Sequence, residues 1–282
     1  MTVLLALGSA IGYGLSDFLG GVLSRRSRVW PVAVVAQVSG FAWVLAAASF
    51  LAGDPDGRAL VWGALSGVGN GVGTAFLYRG LAAGRMSVVA PLSAVGAAVL
   101  PVSVGLVTGE RPAALAWLGI ACALPAVWLV SAGEGDEDVT GDRVPRASAG
   151  VVDGIVAGVG FGFLFVALGQ VPSGSGLVPV ALGQAVAVVV IVAMAVAMRQ
   201  HWIPRDRYAV SALAVGALGA TGVVLFQFAS QYGLLTIASV LSSLYPAFTV
   251  LLAVLVLRER IHRGQGVGLA LAGAAVALVA LG

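Results

Sequence analysis

The sequence predicts an all-α integral membrane protein with ten transmembrane helices, arranged as two inverted-topology repeats of five helices each. The composition is the first reason, because 60% of the residues are hydrophobic and only 10% are charged, unlike a soluble domain. The second reason is that the second half of the chain repeats the first at a shift of 149 residues. Five helices is an odd number, so two copies that fold alike enter the membrane from opposite sides.

Ten apolar segments are long enough to cross a bilayer, since a helix needs roughly 20 residues to span the ~30 Å hydrocarbon core. They lie at 2–23, 30–51, 59–80, 86–108, 112–131, 150–170, 177–198, 209–230, 236–257 and 265–282. The first segment is followed, not preceded, by arginines and is longer than a signal-peptide core, so we expect a retained helix. The predicted domains are 1–131 (helices 1–5) and 149–282 (helices 6–10), joined by an acidic, flexible linker at 132–148.

The repeat rests on an ordered series of matches between the two halves. The small-residue helix, the Gly-Ser/Thr turn and the acid-base pair recur in the same order: Gly63, Gly67, Gly73, Gly84, Ser87 and Glu110-Arg111 correspond to Ala212, Gly216, Gly222, Gly233, Thr236 and Glu259-Arg260. The small residues predict close helix packing. Secondary transporters are often built this way, with the substrate site between the halves, so the pattern indicates transport.

Several function classes are excluded by residues that the chain lacks. Cys122 is its only cysteine, so an internal disulfide and a cysteine metal site are excluded, and no cofactor is expected. His201 and His262 lie in loops among arginines and are better explained as interfacial residues than as metal ligands. The lack of a clustered acid, histidine or metal set argues against an enzyme. A non-transporting structural or receptor-like membrane protein stays an alternative.

All fifteen basic residues are arginine, and their distribution predicts the orientation. The loops after odd-numbered spans hold 13 of them: Arg25, Arg26, Arg28, Arg79, Arg85, Arg143, Arg146, Arg199, Arg205, Arg207, Arg258, Arg260 and Arg263. The loops after even-numbered spans hold two, Arg58 and Arg111. Cytoplasmic loops are enriched in arginine, so both termini are predicted to lie outside. The basic excess therefore reflects a membrane partner and not nucleic acid.

One carboxylate lies deep in a predicted span. Asp17 follows Tyr13 by four residues, so both side chains share a helix face. An acid inside a span tends to face an interior cavity and can bind either a proton or a substrate, so Asp17 is the candidate for proton coupling. The alternative is a structural acid near the interface, paired with Arg25 or Arg26. Asp153, in contrast, lies at the first turn of its span, where the helix dipole explains it.

Uncharged polar residues inside the spans complete the candidate substrate site. Asn70, Thr74 and Tyr78 form one stripe on the third span, at steps of four residues. The other candidates are Gln37, Gln184, Gln227, Gln231 and Tyr245. Such side chains can bind a small polar solute or join helices to one another. Arg79 closes the stripe and can neutralise a substrate anion or extend to the membrane interface.

The stretch LYRGLAAGRMSVVAPL at 77–92, the Glu110-Arg111 pair and their counterparts in the second half resemble the EamA-type repeats of the drug/metabolite transporter superfamily. The opening LGSAI at 7–11 also resembles the small multidrug resistance proteins of that superfamily, which carry an essential acid about one turn earlier than Asp17. The resemblance implies a central cavity among helices 1–4 and 6–9, with helices 5 and 10 peripheral. It also implies cytoplasmic termini, in conflict with the arginine distribution.

The predicted function is a secondary active transporter in a cell membrane of bacterial type, exporting an amino acid, amine or drug-like solute by alternating access. The predicted partners are a small-molecule substrate, the lipid bilayer and protons, and the chain is expected to be a monomer or homodimer. The alternative within transport is an exchanger of nucleotide sugars or phosphorylated metabolites. Glu110 and Glu259 are interpreted as loop residues that mark the turn into the peripheral helices.

Overall fold

A computed structural model describes residues 1–24, 26–51, 53–82, 86–131, 147–257 and 263–281. This part of the chain is helical and contains no strand. Its eleven helices are α1 (Thr2–Ser24), α2 (Val29–Ala48), α3 (Gly57–Ala82), α4 (Met86–Val107), α5 (Ala114–Ser131), α6 (Ala147–Gly169), α7 (Val178–Ala197), α8 (Arg207–Tyr232), α9 (Leu235–Ser242), α10 (Tyr245–Leu257) and α11 (Arg263–Leu281). Glu259 and residues 132–146 of the predicted linker lie outside the described residues. The last two linker residues, 147 and 148, belong to α6.

The helices have the length and composition of membrane spans. In the described part of the chain, eight stretches are long and apolar enough to cross a bilayer, and the apolar helices Leu92–Val107 and Ala114–Val130 are shorter. Many large apolar side chains on these helices are exposed, among them Leu4, Trp43 and Trp128. An outer surface of this kind suits contact with lipid, so the chain is a multi-pass membrane protein, as the composition predicts.

The ninth predicted span consists of two helices, α9 and α10, which meet at Ser243–Leu244. Pro246 follows immediately, and proline has no N–H to continue a helical hydrogen-bond ladder but fits the first turn of a new helix. The hydroxyl of Ser243 donates to the carbonyl of Val240 at 2.9 Å, which satisfies a carbonyl near the end of α9. The break places Tyr245 at the start of α10, in the interior of the protein.

Small residues allow the helices to pack backbone against backbone, as their spacing predicts. A methyl group on Gly67 of α3 would collide with the carbonyl of Gly183 on α7. A methyl group on Gly216 of α8 would collide with the carbonyl of Ala36 on α2. In lipid, such close approach takes the place of the hydrophobic force that packs soluble helices. It holds the helices around the interior cavity.

Candidate functional site

A cavity lies among α1, α2, α3, α6, α7, α8 and α10, so both halves of the chain contribute to it. It offers about 60 Å³ of space to water-sized molecules, enough for a small solute but not a large one. Eight of the ten candidate residues line it: Tyr13, Asp17, Gln37, Asn70, Thr74, Tyr78, Gln184 and Tyr245. These eight residues come from five helices and converge on one site inside an apolar bundle.

Asp17 is the one charged residue among the described side chains that line this cavity. Asp17 lies in the C-terminal half of α1 and is half-buried. Its carboxylate has no ion-pair partner within the described residues. Arg26, one of its two proposed partners, is exposed, and Arg25 lies outside the described residues. A carboxylate without a cation in a low-dielectric site is costly, and such residues in membrane spans are usually functional.

The uncharged polar residues form a short hydrogen-bond chain on one wall. The amide nitrogen of Asn70 donates to the side-chain oxygen of Gln184 at 2.8 Å, which joins α3 to α7. The hydroxyl of Thr74 donates to the amide oxygen of Asn70 at 3.4 Å. Gln37 also reaches the cavity from α2. These side chains therefore join helices and line the cavity at the same time.

Aromatic side chains form the opposite wall. The ring of Tyr13 lies 6.0 Å from that of Phe165 and 6.2 Å from that of Tyr245, the latter edge to face. Phe165 is stacked on Phe226 with 4.0 Å between centroids. The hydroxyl of Tyr245 shares a hydrogen bond of 3.1 Å with Ser93. The hydroxyl of Tyr13 is buried and has no partner within the described residues, so it remains available to a bound solute.

Arg79 and Asp153 form an ion pair, which neither residue was predicted to do. The guanidinium of Arg79 donates through Nε to the carboxylate of Asp153 at 3.1 Å and also through a terminal nitrogen. It also lies 4.2 Å above the ring of Phe76. Arg79 is not among the residues that line the cavity. The prediction that Asp153 lies in the first turn of its helix is wrong, because α6 begins at Ala147 and Asp153 is its seventh residue; the ion pair with Arg79, and not the helix dipole, holds the carboxylate. The pair fastens α3 to α6.

Two candidate residues do not line the cavity. Gln227 is completely buried, and neither atom of its amide has a partner within the described residues. Gln231 is half-buried near the end of α8. An unpaired buried amide costs free energy, so Gln227 destabilises this arrangement of the helices. Any contact of these two residues with substrate stays a prediction.

Glu110 makes the contact that sequence reasoning missed. Its carboxylate accepts the backbone N–H groups of Leu235 at 2.6 Å and Thr236 at 2.9 Å, and the hydroxyl of Thr236 at 2.5 Å. It therefore caps the N-terminus of α9, although 125 residues separate it from Leu235. The repeated Glu-Arg pair was the signal for this residue, but the sequence did not show what it binds. Glu110 is a loop residue outside the cavity, as predicted.

The same membrane end is closed by further contacts between loops. The N–H of Asp54 donates to the carbonyl of Gly174 at 3.1 Å. Gly53 and Gly176 lie so close together that a side chain on Gly53 would overlap the backbone of the other loop. These contacts join the loop after span 2 to the loop after span 6. The Glu110 cap joins the loop after span 4 to the start of α9. These contacts hold the loops together at this end of the bundle.

The opposite end carries a wider outer cavity among exposed loops. Arg26, Arg28 and Arg205 line it, together with Asp206 at the N-terminus of α8. The N–H of Ala209 and the hydroxyl of Ser27 donate to the Asp206 carboxylate and hold its pKa below the usual range. The arginine-rich end is thus the more open one, and Asp206 ties the first loop of the chain to the start of α8.

The apolar helices and the lipid-facing outer surface define a multi-pass membrane protein, with an internal cavity that contains Asp17. Residues 148–281 match the profile of the EamA-like transporter family, which confirms the resemblance for the second half of the chain. The second half is therefore EamA-like, in a chain that is a multi-pass membrane protein. No curated protein matches its sequence.

One solved crystal structure of a protein shares the fold over nearly all of both chains. The superposition covers 99% of this chain and 96% of the other, with a TM-score of 0.73 and 18% sequence identity. At that identity the likeness concerns the fold, and it extends the comparison to the first half of the chain, beyond the residues that the family profile matches.

Proposed function

We propose that the chain is a secondary active transporter that moves a small polar or amphipathic metabolite by alternating access. The observation that carries this proposal is the cavity around Asp17, which is lined by polar side chains from both halves of the chain. Transporters hold substrate near the bilayer midplane between two such halves. Neither a structural protein nor a receptor needs an unpaired acid inside its bundle.

The proposed architecture is ten spans in two inverted repeats, 1–131 and 149–282, with 132–148 as the linker between them. The pairing of helices supports it. In the two repeats α3 corresponds to α8, and α1 corresponds to α6. The contact of α3 with α6 therefore has its counterpart in the contact of α8 with α1, and both pairs pack closely. Gly67 and Gly216 are equivalent under the 149-residue shift, and each lies against a backbone carbonyl of a neighbouring helix. A two-fold axis in the membrane plane would relate them.

Within transport, export of an amino acid, amine or drug-like solute driven by protons is favoured over exchange of nucleotide sugars. A pyrophosphate group needs several cations, and the described lining of the cavity contains no arginine or histidine. Arg79, which alone could supply one near a span interior, is bound to Asp153. Asp17 gives the cavity a site for a proton or a cation, which suits coupling to a proton gradient.

Reconstitution tests the function directly. Purified protein in liposomes is expected to concentrate a labelled amine or amino acid when a proton gradient is imposed, and to stop when an uncoupler removes the gradient. Liposomes without protein measure leakage. If no solute of these classes accumulates or exchanges across the membrane, while the protein stays folded, a receptor or structural role replaces transport.

Orientation is tested by cysteine labelling. With Cys122→Ala as background, we expect Thr140→Cys, in the loop after span 5, to be inaccessible to an impermeant thiol reagent in intact cells and accessible after permeabilisation. Asp54→Cys, in the exposed loop after span 2, should be labelled from outside in the same cells. Both expectations follow from the 13-to-2 distribution of arginine. The reverse labelling pattern would place the termini in the cytoplasm, as the family resemblance implies.

A further inference from the structure

The cavity has an unbalanced charge. Its described lining includes the carboxylate of Asp17 and no arginine, lysine or histidine. Arg79 follows the lining residue Tyr78 directly, but its guanidinium is bound to Asp153 on α6. The site can therefore supply a negative charge to a ligand and has no positive charge free to supply.

The aromatic wall adds to this preference. The ring centroid of Tyr13 lies 6.0 Å from that of Phe165 and 6.2 Å from that of Tyr245. Aromatic rings attract cations through their electron-rich faces, most strongly where water is excluded. The buried hydroxyl of Tyr13 has a free lone pair within the described contacts and lies one helical turn from Asp17. Together these groups can accept N–H donors from an ammonium group.

The amide wall offers no positive charge to an anion. The amide of Asn70 is already engaged by Gln184 and by Thr74, so that side chain is held in place by its neighbours. A ligand carboxylate placed here would lose its hydration without gaining a cation, and it would face Asp17. Burying a charge in that way is costly unless the charge is paired.

We infer that this site selects small primary amines and disfavours the amino acids from which they derive by loss of the carboxyl group. The inference rests on the proposed transport function, and it names the substrate class of the same cavity. The ammonium group pairs with Asp17 and the apolar body packs on the aromatic wall. The cavity, with about 60 Å³ open to water-sized molecules, suits a small alkyl body. The arginines of the outer cavity lie on exposed loops, where water and salt screen their repulsion.

Three matched probes test the inference: isobutylamine, valine and isobutanol. They share the branched alkyl body, while valine adds a carboxylate and isobutanol replaces the ammonium group with a neutral hydroxyl. Binding is measured by calorimetry on the full chain in lipid nanodiscs. We expect isobutylamine to bind at least tenfold more tightly than either of the others. Asp17→Asn should remove that preference, and the matched control Asp54→Asn, on an exposed loop, should keep it.

The outcomes separate the inference from the transport proposal. Equal or tighter binding of valine or isobutanol, or no binding of the amine, overturns the amine preference even if the liposomes transport another solute. Binding of the amine without any exchange of labelled isobutylamine in liposomes supports the site and overturns transport. If Asp17→Asn elutes as an aggregate in size-exclusion chromatography, the comparison of the three probes on the unmodified chain decides alone, since it needs no variant.

Discussion

Asp17→Asn is expected to abolish uphill transport driven by a proton gradient while the protein still folds. The asparagine side chain matches aspartate in shape and keeps one acceptor oxygen, but an NH2 donor replaces the other oxygen and the group cannot bind or release a proton. Asp17 has no ion-pair partner within the described residues, so the substitution leaves no uncompensated cation behind. A carrier that exchanges proton and substrate at one carboxylate then loses the coupling and can retain downhill exchange of substrate.

The measurement compares uphill accumulation with counterflow in the same liposomes. Accumulation should fall to the level of protein-free liposomes in Asp17→Asn, a loss of tenfold or more, while Asp54→Asn accumulates solute like the unmodified chain. Asp17→Glu keeps the carboxylate and should retain part of the activity with a changed pH optimum. Uphill transport by Asp17→Asn at the normal rate would make Asp17 a structural residue and require another driving force.

The parts of the fold that follow from local sequence were the predictable ones. Long apolar segments fix helices, and steps of three or four residues place side chains on one face, so the stripe Asn70, Thr74 and Tyr78 could be assigned to a single face. The break between α9 and α10 also has a local cause, because Pro246 lacks the N–H that would continue the helical ladder. Small residues at four-residue steps predicted close packing for the same local reason.

Contacts between distant segments could not be predicted from those patterns. The partner of Arg79 is 74 residues away on another helix, so the sequence left open whether it binds substrate, lipid or an acid. The 149-residue repeat did bring Gln227 into the candidate set, because it corresponds to Tyr78. The repeat predicts which helix carries the equivalent residue, but not whether its side chain reaches the cavity. Tyr78 lines the cavity, whereas Gln227 is completely buried and is not among the lining residues.

Glu110→Ala is expected to loosen the closed end of the bundle. The substitution leaves two backbone N–H groups and the hydroxyl of Thr236 without their acceptor. A hydrogen bond to a charged group contributes about 1.5–3 kcal/mol, and ~1.4 kcal/mol is tenfold in an equilibrium, so the open population should rise at least tenfold. In the proposed alternating-access cycle this end must open, so we expect the Glu110 carboxylate to stabilise its closed state by joining the two halves.

A cysteine in α9 reports the opening. Ser239→Cys, in a Cys122→Ala background, replaces a completely buried hydroxyl, so its reaction with an impermeant thiol reagent measures how often that end admits water. We expect labelling to be at least ten times faster in Glu110→Ala than with Glu110 present. Arg111→Ala is the matched control, because the Arg111 side chain donates only to the nearby carbonyls of Leu106 and Glu110 in the described structure. Equal labelling rates in the two variants, with unchanged elution in size-exclusion chromatography, would show that the cap stabilises α9 without controlling access.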